Sequence, residues 1–166
     1  SKSKKYMKIS KAAVMKDSKM IGEVESDEIR GYLWCLGKVG STILVAENEE
    51  FNANVEIIKS KSGYKAELKD DGTIDVTVSV KAEGMVGQLT GGYDKPGEKI
   101  LVKMENACAS VIREEILKTF EALKKYNADY IGIASYLNKH SHDKWQEYKS
   151  TNDGKDYLSK ININIT

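Results

Sequence analysis

The chain has 166 residues, 40% of them apolar and 31% charged, and its 26 basic residues nearly balance its 25 acidic ones. Such a composition is typical of a folded globular protein, and it excludes a disordered chain and a strongly basic nucleic-acid-binding domain. No apolar run reaches the roughly 18 residues of a membrane-spanning helix, and no apolar stretch after the basic start SKSKK indicates a signal peptide. With one proline and no linker-like segment, residues 1–166 are expected to form a single domain.

The first quarter of the chain predicts short strands and one helix. Residues 6–15 and 20–22 are predicted strands, separated by a turn at residues 17–18. Ser26 is predicted as the N-cap of the helix, because two acidic residues follow it and favour the positive end of the helix dipole. Gly37 follows the last apolar position of this helix and is the predicted stop.

The middle of the chain predicts a sheet. Residues 43–45 and 55–59 are compact apolar strands, and residues 74–80 alternate strictly between apolar and polar side chains. That alternation is typical of a strand with one buried and one solvated face. The sequence DDG at residues 70–72 predicts a hairpin turn, and the glycines of residues 84–92 predict a bent strand end followed by a loop.

The rest of the chain is predicted to be mainly helical. Residues 98–126 carry an apolar residue every three or four positions, which predicts one amphipathic helix of roughly 40 Å. Its apolar positions are Leu101, Met104, Cys108, Ile112, Ile116, Phe120 and Leu123. Residues 128–139 predict a second helix, a third includes Trp145 and Tyr148, and the alternating residues 158–165 predict a final strand. This order indicates an α+β fold, with a largely antiparallel β-sheet and long amphipathic helices packed on one face.

The segment GYLWCLGKVGST, residues 31–42, superficially resembles a phosphate-binding loop. The functional motif G-x-x-x-x-G-K-[ST] follows a strand and opens a helix. Here five residues separate Gly31 from Gly37, Val39 stands where a magnesium-binding Ser or Thr is required, and a helix precedes the second glycine. We therefore reject a nucleotide site there, and the glycines of residues 84–92 also lack the spacing of a dinucleotide loop.

His140, His142 and Asp143 are the best metal candidates, since a His-x-His pair beside a carboxylate can chelate a cation. They include the chain's only two histidines, and no second ligand motif accompanies them. The alternative, which we favour, is a polar loop with a helix cap before Trp145. We therefore expect no metal and no cofactor.

No nucleophile–base arrangement is visible, and no G-x-S-x-G elbow occurs. Cys35 and Cys108 lie among apolar neighbours and are interpreted as two separate buried thiols, with a single disulfide as the alternative. The Lys- and Tyr-containing segments 61–65 and 124–126 could touch nucleic acid, but such runs are usually solvated faces. The protein is expected not to be an enzyme, and no catalytic residue is predicted.

Several segments stand in a distinctive order: RGYLW at 30–34 leading into GKV at 37–39, VEIIKSK at 55–61, the alternating strand 74–84, ADYIGI at 128–133, Trp145, and an alternating final strand. From about residue 6 to residue 166 this set resembles the C-terminal domain of the Ger(x)C family, the C subunits of spore germinant receptors. The family is described as germination lipoproteins. His142 stands where the family often has a proline, and the lipidated N-terminal cysteine of the family is absent.

The resemblance implies a non-enzymatic subunit of a nutrient germinant receptor needed for spore germination, here as a domain excised from a longer lipoprotein. Such subunits lie on the outer face of the spore inner membrane, held by an N-terminal lipid that would be outside this fragment. They function with the membrane-embedded A and B subunits, and the fragment itself is expected to be soluble. The family assigns no chemistry to individual residues, so the resemblance supplies no site residue.

Three hypotheses remain open. A protein–protein interaction or scaffold domain predicts an exposed apolar or glycine-rich patch without a deep pocket. A small-molecule module that binds the germinant predicts a concave apolar pocket with a few convergent polar groups. A metal or hydrolase site at residues 140–143 is the third. In each case Trp34, Tyr130 and Trp145 are expected to be packed rather than exposed.

Overall fold

The computed structural model describes residues 10–91, 96–151 and 156–166. Its elements are strands β1 (Lys11–Lys16) and β2 (Lys19–Glu25), helix α1 (Ser26–Cys35), strands β3 (Thr42–Glu47), β4 (Asn52–Leu68) and β5 (Ile74–Thr90), helices α2 (Glu98–Tyr126), α3 (Ile133–His140) and α4 (His142–Thr151), and strand β6 (Ile161–Ile165). A 3₁₀ turn at Tyr157–Lys160 precedes β6. The predicted α+β class is confirmed, and α2 has the predicted bounds.

A long antiparallel hairpin of β4 and β5 is the centre of the larger sheet. The strand order is β3-β4-β5-β6, in which β3 pairs antiparallel with the start of β4 and β6 pairs parallel with the start of β5. The sheet is therefore largely antiparallel, as predicted. Strands β1 and β2 form a separate two-stranded hairpin, which turns at Asp17 and Ser18 with φ values of 49° and 63°.

The main core lies between one face of this sheet and the helices. Leu44, Val76 and Val78 point from the strands into the core, and Ile116 and Phe120 meet them from α2, all with no exposed surface. The opposite face of β5 carries polar residues, as the strict alternation predicts. Trp34 and Trp145 are buried as expected, and Tyr130 is half-buried.

The beginning of α1 differs from the prediction by one residue. The N-cap is Glu25, not Ser26: the Glu25 backbone N–H donates to the Glu28 carboxylate at 2.5 Å, and the Glu25 side chain accepts from the N3 backbone in return. A reciprocal capping box can thus use a carboxylate where a hydroxyl is more usual. The predicted stop is confirmed, since Gly37 has φ +66° directly after the C-cap.

The glycine-rich segment continues as a strand up to Thr90, where a loop was predicted, and the predicted irregular strand end corresponds to shifts in its pairing. Strand β5 pairs with β4 from Ile74 to Thr90, with Gly87 outside the register. Register shifts between Asn54 and Val55, and again after Ile57, accommodate the irregular pairing. Long-range pairing therefore overrides the low strand propensity of glycine here.

Two further predicted boundaries are wrong. Helix α3 begins at Ile133 rather than at residue 128, because the Asp129 carboxylate accepts hydrogen bonds from the backbone N–H groups of Gly132, Ile133 and Ala134 at 2.8–2.9 Å. Residues 128–132, which were predicted to begin this helix, are not helical. Leu158 belongs to the 3₁₀ turn and not to the final strand. The first part of the predicted strand 6–15 lies outside the described residues.

Candidate functional site

One edge of the larger sheet is open. Strand β6 pairs with β5 from Ile74 to Val78, and a last backbone hydrogen bond joins the Val80 N–H to the Thr166 carbonyl at 2.8 Å. Beyond that point, residues 81–90 of β5 pair with β4 on one side and with no other strand among the described residues on the other. An open edge presents unpaired N–H and C=O groups that another strand can bind.

A groove of about 640 Å³ lies between this open edge and the first half of α2. The sheet lines it with Val55, Ile57, Ala82, Gly84 and Val86. Helix α2 lines it with Leu101, Met104, Cys108, Ala109 and Ile112. Most of this surface is apolar, and on β5 two of the groove-lining residues, alanine and glycine, have almost no side chain.

The groove continues the line of β6 beneath α2. The Lys124 Nζ donates to the carbonyl of Ile161, the first residue of β6, at 2.9 Å. The Arg113 guanidinium donates to the carbonyl of Ile165, its last residue, at 3.0 Å. Strand β6 therefore runs under the second half of α2, antiparallel to it, and Ile165 and Thr166, the last two residues of the sequence, line one end of the groove.

Leu101 is an exposed member of the groove lining. It belongs to the same apolar stripe as Met104 and Ile116, which are 3% and 0% exposed, yet Leu101 is 40% exposed. Leu101 therefore faces solvent at the groove, although its position in the stripe is of the core type. The neighbouring Val102 is 49% exposed. Exposed apolar residues beside a concave apolar surface are typical of an interaction site.

The charged groups at the groove are few. Glu105 projects from α2 and is exposed, and no ion pair holds it among the described residues. Glu83 pairs with Lys59 at 3.2 Å on the solvated face. Burial raises the pKa of the Cys108 thiol, and the nearby Glu105 carboxylate raises it further. The thiol at this site is thus protonated and weakly nucleophilic at neutral pH.

A second apolar surface lies on the outer face of the same end of the sheet. Ile43, Val45 and Met85 are 60%, 49% and 56% exposed. Ile43 and Met85 both lie opposite Glu56 in the strand pairing. This end of the hairpin therefore exposes apolar side chains on both faces.

The most buried charged group in the described chain is structural. The Glu115 carboxylate is 3% exposed, and it accepts from the Arg30 guanidinium and from the Trp34 Nε1–H at 3.0 Å. The hydrogen bond to Glu115 raises the pKa of Arg30. The pair joins α1 to α2 and lines none of the four described cavities. We assign it to the core and not to a catalytic site.

The remaining sequence candidates are not brought together. His140 stacks on Tyr136 with ring centroids 4.1 Å apart, and no group of three metal-ligating side chains occurs within residues 10–91, 96–151 and 156–166. Cys35 and Cys108 are both free, so the disulfide alternative is wrong. Gly37 and Lys38 follow a helix and line no nucleotide cavity among those described. No helix of the described chain is long and apolar enough to cross a bilayer.

A profile of the family described as "Spore germination B3/ GerAC like, C-terminal" matches residues 10–166. The chain belongs to this family. The resemblance stated from the ordered segments is thereby confirmed. No match to the sequence was found among curated proteins.

The crystal structure of the GerBC protein shares the fold of this family member. It matches with a TM-score of 0.72 and 19% sequence identity over 89% of this chain. At that identity the likeness shows the fold alone. The match covers 46% of the GerBC chain, so this chain spans about half the length of that protein.

Sequence reasoning missed the groove for a definable reason. One of its walls is the part of β5 that was predicted as a loop, so neither the edge nor the concave surface could be expected. The signal that was available is Leu101, the first member of the apolar stripe of α2.

Proposed function

We propose that this chain is the C-terminal part of a germinant receptor C subunit, and that it acts there as a non-enzymatic protein–protein interaction or scaffold domain. Membership in the spore germination family supports the germination role. The observation that carries the interaction role is the exposed apolar surface on the outer face of the sheet, where Ile43, Val45 and Met85 are 60%, 49% and 56% exposed. The groove under α2 is lined mainly by apolar residues, and its charged residues are Glu83, Glu105 and Arg113.

The family supports further parts of the proposal. The partners would be the A and B subunits of the receptor, both membrane proteins. The site of action would be the outer face of the spore inner membrane, reached through an N-terminal lipid on the full-length lipoprotein. In this proposal residues 1–166 form one domain of that longer protein and contain no catalytic, cofactor or metal residue.

Photo-crosslinking in sporulating cells tests the interaction role. A crosslinking amino acid is placed in the full-length subunit at one of three exposed positions, Ile43 or Met85 on the outer face of the sheet or Ala109 on α2. Glu121, farther along α2, is the control position. We expect crosslinks to the A or B subunit from at least one of the first three positions and fewer from Glu121. If no position crosslinks to either subunit although the receptor assembles, the proposed function is wrong.

A germinant-binding module is the second candidate function. The groove volume of about 640 Å³ is within the range of small-molecule sites, which favours it. Thermal unfolding of the chain against amino acids, sugars and nucleosides tests this candidate. A ligand at about 100 times its dissociation constant stabilises the protein by roughly 2.7 kcal/mol, a shift of several degrees. A shift with one germinant would support binding, and a flat panel would exclude it at the concentrations used.

A further inference from the structure

We propose that the outer face of the larger sheet, turned away from the helices, binds carboxylates of a partner protein through the lysine pair Lys61 and Lys81. The inference rests on the proposed interaction function and specifies the chemistry of the partner. Lys61 of β4 and Lys81 of β5 are directly opposite each other in the strand pairing, and both are exposed. Like charges in opposite positions of two paired strands destabilise a sheet. The isolated fold therefore gains no stability from this pair, which indicates a role in binding.

No acidic side chain within residues 10–91, 96–151 and 156–166 forms an ion pair with either of these two lysines. The acidic residues on both sides of them along the hairpin have other partners. Glu83 pairs with Lys59 at 3.2 Å, and Lys69 pairs with Glu67 at 2.8 Å and with Asp75 at 3.6 Å. The charge left uncompensated between these ion pairs is therefore positive.

A glycine leaves space for an anion beside the lysine pair. Gly63 is the next residue of β4 on the same face, opposite Ser79, and a Cβ at Gly63 would meet no atom within 4 Å. Lys61, Lys81 and Lys65 all line the depression around this glycine. Lys65, on the far side of Gly63 along β4, also has no ion pair among the described residues. A carboxylate above Gly63 would therefore have ammonium groups on both sides along the strand.

The exposed apolar residues of the outer face continue this site. Lys81, Glu83 and Met85 are alternate residues of β5, so their side chains share one face of the sheet. At about 3.3 Å per residue, Met85 lies about 13 Å from Lys81 along the strand. Met85 is 56% exposed, and Ile43, two strands away in the same row, is 60% exposed. A partner that covers this face would bury apolar side chains at one end and neutralise the lysine pair at the other.

The distribution of charge favours a partner protein over an anionic lipid surface. A flat lipid surface would cover the whole face and meet Glu56 and Glu83 as well as the lysines. Glu83 is two residues from Lys81, or about 7 Å along the strand. Because that distance is within the screening length of about 8 Å, repulsion would offset much of the attraction. A protein carboxylate can contact the lysine pair alone, so charge complementarity assigns aspartate or glutamate residues to the partner.

Carbodiimide coupling tests the carboxylate contact directly, because the reagent joins a lysine amine to a carboxylate with loss of water only where the two groups touch. Spore membranes that contain the full-length subunit with its A and B subunits are treated, and the linked peptides are identified by mass spectrometry. We expect Lys61 or Lys81 to be linked to an aspartate or glutamate of the A or B subunit. Lys99 is the control, since it is exposed on α2 at the opposite side of the sheet. It should give severalfold fewer links, and equal yields from Lys99 and the lysine pair would overturn the proposal.

Charge reversal separates binding from folding. Lys81→Glu places a carboxylate opposite Lys61, and opposite charges in this position stabilise a sheet, so the variant should unfold at the same temperature as the unmodified chain or higher. We expect Lys81→Glu to lower the yield of photo-crosslinks from Met85 to the A or B subunit about tenfold, because repulsion replaces attraction. Lys81→Arg keeps the charge and should crosslink normally, as should Lys99→Glu. Undiminished crosslinks in Lys81→Glu would overturn the proposal.

Further results distinguish the alternative occupants. Carbodiimide links from Lys61 or Lys81 to a second copy of this chain would overturn the proposal in favour of a dimer. Sedimentation of the subunit with phosphatidylglycerol vesicles that is lost in Lys81→Glu would overturn it in favour of a lipid surface. Crosslinks from Met85 that persist in Lys81→Glu remove the role of the lysine pair and leave the interaction function standing. The absence of crosslinks from Ile43, Met85 and Ala109 in the unmodified subunit would instead contradict the proposed function itself.

Discussion

Arg30 and Glu115 lie 85 residues apart in the sequence, and the Arg30 Nε donates to the Glu115 Oε1 at 2.8 Å. This ion pair joins α1 to α2 close to Trp34, whose indole N–H binds the other carboxylate oxygen. Because Glu115 is 3% exposed, its charge depends on these two donors for compensation. The packing of the two helices and the pairing of this buried carboxylate therefore depend on each other.

The substitution Glu115→Ala is expected to lower the free energy of unfolding by about 3–5 kcal/mol, since it leaves the Arg30 charge and the Trp34 N–H without their partner. Urea unfolding followed by tryptophan fluorescence measures this loss. Glu114→Ala is the matched control: Glu114 is adjacent, has a 67% exposed side chain and pairs with Lys118 on the surface. Glu114→Ala should lower the free energy of unfolding by less than about 1 kcal/mol. Equal losses of stability in the two variants would contradict the structural role of the buried Glu115 carboxylate.

Gly31 packs directly against α2, and a Cβ there would overlap the Glu115 carbonyl oxygen and the Thr119 hydroxyl. Gly31→Ala is therefore expected to destabilise the protein by about 2–3 kcal/mol, because the helices must separate to admit the methyl group. Thermal and urea unfolding test this. Gly40→Ala is the control, since a Cβ at Gly40 meets nothing within 4 Å. Wild-type stability of Gly31→Ala would show that the helix contact is less close than described.

The two cysteines are expected to differ in reactivity. Cys35 is 1% exposed, and burial raises the pKa of its thiol to about 12, whereas Cys108 is half-buried at the groove. A thiol reagent at neutral pH should modify Cys108 slowly and leave Cys35 intact in the folded chain, because the thiolate is the reactive form. In denaturant both should react at once. Mass spectrometry of the alkylated peptides distinguishes the sites, and modification of Cys35 in the native state would contradict its burial.

High pH is expected to destabilise the fold. Burial raises the pKa of Tyr64 to about 12, and it raises the pKa of Tyr130 and Tyr157 more strongly. For Tyr157, the hydrogen bond that its hydroxyl donates to Asp129 raises the pKa further. An unfolded tyrosine has a pKa of about 10, so above that pH the unfolded chain holds fewer protons than the folded one. Stability that is complete below pH 10 is then lost as pH rises, by up to about 1.4 kcal/mol per pH unit for each tyrosine.

Urea unfolding at a series of pH values from 8 to 12 measures this slope. Cys35 also contributes to this slope from about pH 9. Its thiol stays protonated in the folded chain, because burial raises its pKa to about 12, whereas an exposed cysteine loses its proton at a pKa of about 8.5. The variant Tyr157→Phe should reduce the slope above pH 10 while lowering the overall stability. A slope that does not change in this variant would exclude Tyr157 as a contributor.

Local pattern was sufficient for the elements whose partners are near in the sequence. The three- and four-residue recurrence of apolar residues predicted α2, and the strict alternation from Ile74 predicted the buried face of β5, because these periodicities follow from helix and strand geometry alone. The turn at Gly72 was likewise fixed by its sequence, with φ +81°. The ordered segments were also enough to indicate the germination family, which the profile match confirmed.

The tertiary structure decided the features that depend on contacts between distant residues. The extension of β5 past Gly84 depends on pairing with β4, the start of α3 depends on the Asp129 cap, and the partner of Glu115 lies on another helix. The groove depends on how α2 lies across β4 and β5, and Leu101 in its lining is 40% exposed. Periodicity marks Leu101 as apolar and core-facing, but only the arrangement of the strands determines whether anything covers it, because burial is a property of the packed chain and not of the residue.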